Sequence, residues 1–282
     1  MNNTGISWTD CTWNPVTGCS KVSAGCKNCY AERLFARAYP GRDFIDVRCH
    51  EDRLAQPLAI ARPSKIFVNS MSDLFHEAIP GAFLDQVFAV MASTPRHTYQ
   101  VLTKRPARMQ DYIGVLYAGR RMCEIAGAAG QNRIVAMENM AKGFPNLWLG
   151  VSVEDQATAD ERIPVLLDTE ARVRFVSAEP LLGPVNLRDY LRPCELSAYD
   201  SRPPLDWVIV GGESGPGARV CDLAWIRDVV AQCTLANVPV FVKQLGSDPV
   251  SDRSGEIVRI AARKGDEPSE WSEDLRRQEF PR

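Results

Sequence analysis

The chain reads as an α/β protein, and the expected architecture is a partial (β/α)6 TIM-like barrel with an additional strand and a tail at its C-terminal end. Three observations predict it. Short apolar, β-branched runs recur along the chain, amphipathic helical stretches lie between several of them, and each run ends in a small cluster of polar residues. Strand alternating with helix implies crossover connections and a largely parallel sheet. A ring of polar strand ends suits a barrel mouth, where side chains meet a ligand above a packed interior. An open doubly wound sheet also binds ligands at strand C-termini, but without a ring of such ends and usually with a Gly-rich nucleotide loop.

The elements follow in order. Residues 8–13 are strand-like, and 31–37 are helix-like. Buried strands are expected at 65–69, 98–103, 147–152, 173–177, 207–211 and 238–242, from their length and β-branched composition. The clearest helices are 82–93, 156–167 and 223–235. The connection 106–145 is longer than a crossover needs and is expected to hold an inserted helix or pair. Residues 190–204 read as a loop, because strand alternation resumes after them. Beyond Leu245 the chain turns polar, with Gly246, Pro249 and Gly255, a short apolar run at 257–260, and then Trp271 and Phe280. Residues 1–245 are therefore expected to form the barrel, with a loop at 18–30, and 246–282 an extension folded over it.

The chain's 282 residues suffice for a substantial core, burying roughly three quarters of the unfolded surface. Hydrophobic residues at 45% and charged residues at 24% exclude fibrous and disordered classes. Thirty-three basic against thirty-five acidic residues leave a net charge of -2, so bulk charge draws the protein to neither nucleic acid nor an anionic membrane. A local basic groove stays open. No run of about eighteen apolar residues and no basic-then-apolar N-terminus is present, so a soluble cytoplasmic protein with no membrane partner is expected. In that reducing setting nine cysteines are not a disulfide framework.

Cys19, Cys26 and Cys29 fall within eleven residues, in a stretch running from Gly18 to Tyr30. A Cys-x2-Cys pair brings two sulfurs to one metal, and a third cysteine nearby closes a loop over an iron–sulfur cluster. Cys11, eight residues before Cys19, leaves a second reading open: a closed four-thiolate structural site in a nucleic-acid-binding or redox-sensing protein. Cys49, Cys123, Cys194, Cys221 and Cys233 share no ligand spacing and read as small core residues. His50, His76 and His97 share no metal spacing either, and only His76 is near the C-terminal end of an expected strand. The glycine-rich stretch 211–217 suggests either close backbone approach to a ligand or a tight turn. Glu154, Glu179 and Glu213 are expected to pair with Lys104 and Lys243. Lys104, Arg105, Arg108, Arg120, Arg121 and Arg133 read as a solvated helix face or, alternatively, a phosphate-binding groove.

The cysteine stretch, with Tyr30 beside its last cysteine and the strand–helix alternation after it, resembles the radical S-adenosylmethionine superfamily. That superfamily's commonest spacing is Cys-x3-Cys-x2-Cys, whereas six residues separate Cys19 from Cys26 here. The segments 8–32, 69–75 and 102–106 also resemble an uncharacterised family common in phages and prophages. The resemblance implies that Cys19, Cys26 and Cys29 hold a 4Fe-4S cluster whose open iron binds S-adenosylmethionine. One-electron reduction, by a flavodoxin- or ferredoxin-type partner, would then give a 5'-deoxyadenosyl radical that takes hydrogen from a substrate. It implies Tyr30 for the adenine and Ser70 and Asp73 for the methionine amino group although the usual Gly-Gly-Glu is missing, and by position alone Lys104 for the carboxylate. By position, Ser152 or Glu154 would meet the ribose, and Glu179 or Glu213 would lie deeper in the mouth. The strand end at 103–105 resembles the spore photoproduct lyase family, which implies a nucleic-acid substrate for repair or modification, with Cys194 or Cys221 as hydrogen-atom donor.

Overall fold

The computed structural model describes residues 4–119, 121–192, 204–251, 258 and 260–281. It is a mixed α/β structure in which two compact units interleave along the sequence. The first comprises residues 1–21, 29–150 and 169–172, and the second 22–28, 151–168 and 173–282.

In the first unit the hydrogen-bonded strand order is β1 (Cys11–Trp13), β2 (Lys65–Val68), β3 (Thr98–Thr103) and the start of β4 (Leu147–Val153). β1 and β2 are parallel with Cys11 opposite Ile66, and β2 and β3 are parallel with Lys65 opposite Thr98. Its helices are α1 (Tyr30–Ala38), α2 (Gly81–Ser93), α3 (Pro106–Tyr117), α4 (Met122–Ala128) and α5 (Arg133–Ala141). Ile66, Phe67 and Val68 of β2 are all buried, as is the apolar side of α2 from Phe83 to Met91. The near-continuous apolar run of β2 thus reflects cover on both faces of the strand.

Among the described residues the long connection holds α3 and, beyond it, the shorter α4 and α5, with Gly130 between these two. They are fixed by buried polar groups as much as by apolar ones. Asp85 of α2 accepts from Arg121 at 2.6 Å and from the Tyr112 hydroxyl at 2.9 Å, while the Asn139 amide donates to Ala92 O at 3.1 Å. Burial, with the Asp85 carboxylate second, drives the Tyr112 hydroxyl well above the ordinary phenol range.

In the second unit the order is the end of β4, β5 (Val173–Ala178), β6 (Trp207–Gly211) and β7 (Val240–Gln244). β5 and β6 are parallel, as are β6 and β7. The helices are α6 (Gln156–Leu167), α7 (Arg188–Leu191) and α8 (Leu223–Ala236). α6 starts on a reciprocal cap: the Asp155 carboxylate accepts from Thr158 N at 2.9 Å and the Thr158 hydroxyl from Asp155 N at 3.1 Å. β7 begins two residues later than expected. Asn237, at φ 55, caps α8, the Val238 N–H returns to Cys233 O at 2.9 Å, and Pro239 has no N–H to give a ladder.

The tail runs along the edge of β7. Val242 N donates to Arg277 O and Glu279 N to Val240 O, while the Phe280 ring lies 5.3 Å from both Trp207 and Phe241. Trp271 is buried, its indole N–H on Gly265 O at 3.0 Å. The unpaired β7 edge is thereby covered. Among the described residues no helix is long and apolar enough to cross a membrane.

Candidate functional site

The cysteine stretch is described in two pieces, since its ends belong to the first unit and residues 22–28 to the second. In the first unit, Val16–Thr17 pairs antiparallel with Arg48–Cys49, and Gly18 follows at φ +90. A Cβ there would lie 2.6 Å from Asp46 O, so only glycine carries the chain through. Cys19 N then donates to Phe44 O at 2.7 Å. The Cys19 sulfur accepts from Arg105 Nη1 at 3.7 Å, a contact in the range of a weak charge-assisted hydrogen bond.

Arg105 stands at the N-cap of α3, just beyond β3, and its guanidinium organises the first-unit piece. Nη1 also meets Asp73 Oδ2 at 3.2 Å, Nη2 meets the Ser20 hydroxyl at 2.8 Å and its carbonyl at 3.2 Å, and Nε reaches Glu77 at 3.0 Å. Burial opposes its charge, but Asp73, Cys19 and Glu77 outweigh that cost and hold its pKa above the ordinary value. Asp73, just past β2, further accepts from the Thr103 hydroxyl (2.7 Å), Phe75 N (2.9 Å) and Lys104 N (3.0 Å). His76 Nε2 lies 2.9 Å from the Ser20 hydroxyl, and its Nδ1 accepts from Ala78 N, which puts the ring proton on Nε2. Burial and then Arg105 push His76 below its usual pKa, so the ring is neutral at pH 7. The Tyr30 hydroxyl donates to Ser70 O at 3.0 Å, and the ring is 42% exposed.

Residues 22–28 are stapled within the second unit by two buried carboxylates from strand ends. Glu154, just past β4 and 0% exposed, accepts from the Ser23 hydroxyl at 3.0 Å and from Arg162 Nη1 at 3.2 Å. A Cβ on Gly25 would lie 2.4 Å from Glu154 Oε1, so the residue before Cys26 is glycine because its backbone is pressed onto that carboxylate. Glu213, just past β6, accepts from Asn28 Nδ2 at 3.0 Å and from Arg219 through N, Nε and Nη2 at 2.9, 2.9 and 2.6 Å. Arg219 Nη1 reaches on to Ala24 O at 2.9 Å. Burial alone would raise the Glu213 pKa, and the hydrogen bonds from Arg219 and Asn28 override it, lowering it from 4.5 to about 2.

A carboxyl with a depressed folded pKa stabilises the fold fully above its unfolded pKa, and that contribution is lost as pH falls from about 4.5 through about 2. Glu213→Gln should therefore cost stability at pH 7, by about 3 kcal/mol at most, and narrow its gap to the wild type as pH drops from 5 to 3. Urea midpoints at the two pH values measure this. A gap that does not change would mean that the carboxylate charge contributes nothing.

With both pieces placed, the chain can be compared with known proteins. A family model described as "Protein of unknown function (DUF5131)" matches residues 3–274. The chain belongs to this family. No curated protein and no solved structure matches it.

In this DUF5131 chain Cys19, Cys26 and Cys29 are unbridged and partly exposed, whereas Cys221 and Cys233 are buried. Among the described residues no three His, Cys, Asp or Glu side chains converge as a metal site requires. Cys11 opens β1 with its sulfur 3.9 Å from Lys65 O, and β1 and β2 place it level with Tyr99 in β3. Cys19 instead meets Arg105, six residues further along, or about 20 Å at the rise of a strand. The two thiols are thus at opposite strand ends of the first unit, which counts against one four-thiolate site.

Several expectations need correcting in this family member. Cys123 is exposed and Cys49 half-buried, so neither is a core residue. Cys221 lies in the two-residue strand Cys221–Asp222 instead of a loop, and burial pushes its thiol up to about 12. Cys194 and Arg120 lie outside the described residues. Three members of the basic cluster are taken up internally: Arg105 serves Asp73 and Glu77, Arg108 donates to His76 O and Ile79 O, and Arg121 serves Asp85. Gly212 does approach backbone closely, but that of Leu245, whose carbonyl a Cβ would meet at 2.4 Å. Glu179 takes Lys243 at 2.6 Å as expected, whereas Glu154 and Glu213 take Arg162 and Arg219. Ser152 is buried, and its carbonyl accepts from Arg162. Ser70 bonds to Asn14, and Lys104 is half-buried. Ser20, Glu77, Arg162 and Arg219 were not anticipated.

Proposed function

We propose that the protein is a radical S-adenosylmethionine enzyme built on a partial (β/α)6 barrel, with Cys19, Cys26 and Cys29 as ligands of a 4Fe-4S cluster. The observation that carries this reading is the state of the cysteine stretch. Its three thiols are unbridged and partly exposed, while its side chains are tied to polar groups just past the strand ends. The donor chemistry fits an iron–sulfur cluster. The thiols do not converge among the described residues, so cluster assembly has to gather them, as metal binding does when it orders a site.

When bound, the cluster and S-adenosylmethionine supply one-electron chemistry leading to a 5'-deoxyadenosyl radical. The chain's own residues hold and orient. Arg105 fixes the Cys19 end through Ser20 and the sulfur itself. Glu154 and Glu213 fix the stretch around Cys26 through Ser23 and Asn28. Asp73, Glu154, Glu179 and Glu213 are each occupied by an internal cation, so they act on the fold of the site, and the radical reading keeps Tyr30 and Lys104 as its contacts to S-adenosylmethionine. A flavodoxin- or ferredoxin-type reductant and a nucleic-acid substrate complete the proposal, in a cytoplasmic protein.

The test is anaerobic reconstitution with iron and sulfide, reduction with dithionite, and assay of 5'-deoxyadenosine from added S-adenosylmethionine. Wild type and Cys11→Ser should both form it. Cys19→Ser and Cys26→Ser should lose more than the roughly 10–100-fold that removing an outer-shell partner costs. A fully loaded cluster that yields none would point to redox sensing, and bound zinc without iron would sink the proposal.

A further inference from the structure

A second candidate site lies in the first unit, beside the start of the cysteine stretch, where Thr17 lines it two residues before Cys19. It is a groove of about 480 Å³, within the range of small-molecule sites, lined among others by Asn14, Leu34, Arg37, Ala38, Arg53 and Met71. Asn14 directly follows β1, and Met71 follows the end of β2 by three residues, so the groove opens where parallel strands end and ligands of parallel sheets bind.

Its charge is one-sided. Two guanidinium groups face it, no lining side chain is acidic, and neither arginine has a carboxylate partner among the described residues. Arg53 is held in place nonetheless. Its carbonyl accepts from the Trp13 indole at 2.8 Å, and its Nη2 donates to the Tyr39 hydroxyl at 2.9 Å. Tyr39 lines the groove too, and its hydroxyl, having accepted, retains its own proton to donate. Arg37 is exposed on α1 and forms no ion pair with a described residue. Leu34, 47% exposed, joins Ala38 and Met71 as an apolar wall. In a chain of net charge -2, two uncompensated guanidinium forks beside an apolar wall form a site for an anion attached to an apolar or planar body. A phosphoryl group has the oxygens to take both forks, which a single carboxylate lacks.

We propose that this groove binds a nucleotide, with Arg37 and Arg53 on its phosphate and the nucleoside against Leu34 and Met71. The inference goes beyond the radical reading and does not rest on it. The same phosphate chemistry is offered by a free mononucleotide and by single-stranded nucleic acid.

Calorimetric titration of the full chain at low salt with inorganic phosphate, 5'-AMP and a short single-stranded DNA separates the cases. A nucleotide ligand should bind more tightly than inorganic phosphate. Arg37→Glu should weaken it about ten-fold or more, with Arg53→Gln acting in the same direction. Because Arg37 is exposed, its variant should melt with the wild type, which separates loss of binding from loss of fold. Binding of 5'-AMP assigns the groove to free nucleotides. Binding of the DNA alone, with a salt slope reduced by about one in Arg37→Glu, assigns it to the polymer. Inorganic phosphate binding as tightly as either, binding that Arg37→Glu leaves unchanged, or no binding at all would each overturn the proposal.

Discussion

Replacing Arg105 by methionine should lower the unfolding free energy by about 3–5 kcal/mol, as breaking a buried ion pair does. The loss lies in what remains behind. Asp73 is buried, and without the guanidinium its charge would face only the Thr103 hydroxyl and two backbone N–H groups. The exposed Glu77 contributes little to the total, because water screens it. Arg105→Lys should recover only part of the loss, since one ammonium cannot reach Asp73, Glu77 and both Ser20 oxygens that the planar fork spans. Adding Asp73→Asn to Arg105→Met should return a good share, because the uncompensated charge is gone. Denaturant midpoints of the four proteins measure these effects, and a methionine variant as stable as the wild type would show the network to be ornamental. The same variant loosens the Cys19 end of the cysteine stretch, so alkylation of Cys19 should change with it.

The strands were legible because a strand covered on both faces is written as an apolar run, and β2, β3 and β6 begin at the residues expected, Lys65, Thr98 and Trp207. α6 was legible to the residue because its cap is local: Asp155 and Thr158 lie three apart and serve each other. The site was half legible. The strand-end carboxylates stand out as charges after apolar runs, but their partners are set by the return path of the chain. Arg162 lies a full two turns into α6 and Arg219 lies beyond a glycine-rich turn, so neither distance could be read from spacing. Arg105 carried a usable signal. A cation at a helix N-terminus opposes the helix dipole, so its place before Pro106 marks a side chain held there by distant acids.

The second large effect is expected from Arg162→Met. Arg162 and Glu154 are 3% and 0% exposed, and the variant leaves the carboxylate in the interior without its guanidinium. A cost of about 3–5 kcal/mol is expected at pH 8. The cost should depend on pH and shrink in acid, as that of Glu213→Gln does, but through a carboxyl held in its neutral form and not through one held in its charged form. Burial without the guanidinium disfavours the charged carboxylate in the folded variant more than in the unfolded chain. The folded variant then holds its proton more tightly than the unfolded chain, so its deficit is smallest in acid and grows as pH rises through the unfolded and then the folded pKa. The gap to the wild type should therefore be narrower at pH 4.5 than at pH 8. Combining Arg162→Met with Glu154→Gln removes the charge and should restore stability at pH 8 while abolishing the pH dependence, a coupling that a double-mutant cycle reports directly. Because Ser23 and Gly25 rest on Glu154, the Cys26 segment moves with this pair. Proteolysis within residues 22–28 should accelerate in Arg162→Met and return towards the wild-type rate in the double variant. Acceleration persisting in the double variant would show that the contacts of the Arg162 side chain, and not an uncompensated charge, hold the cysteine segment in place.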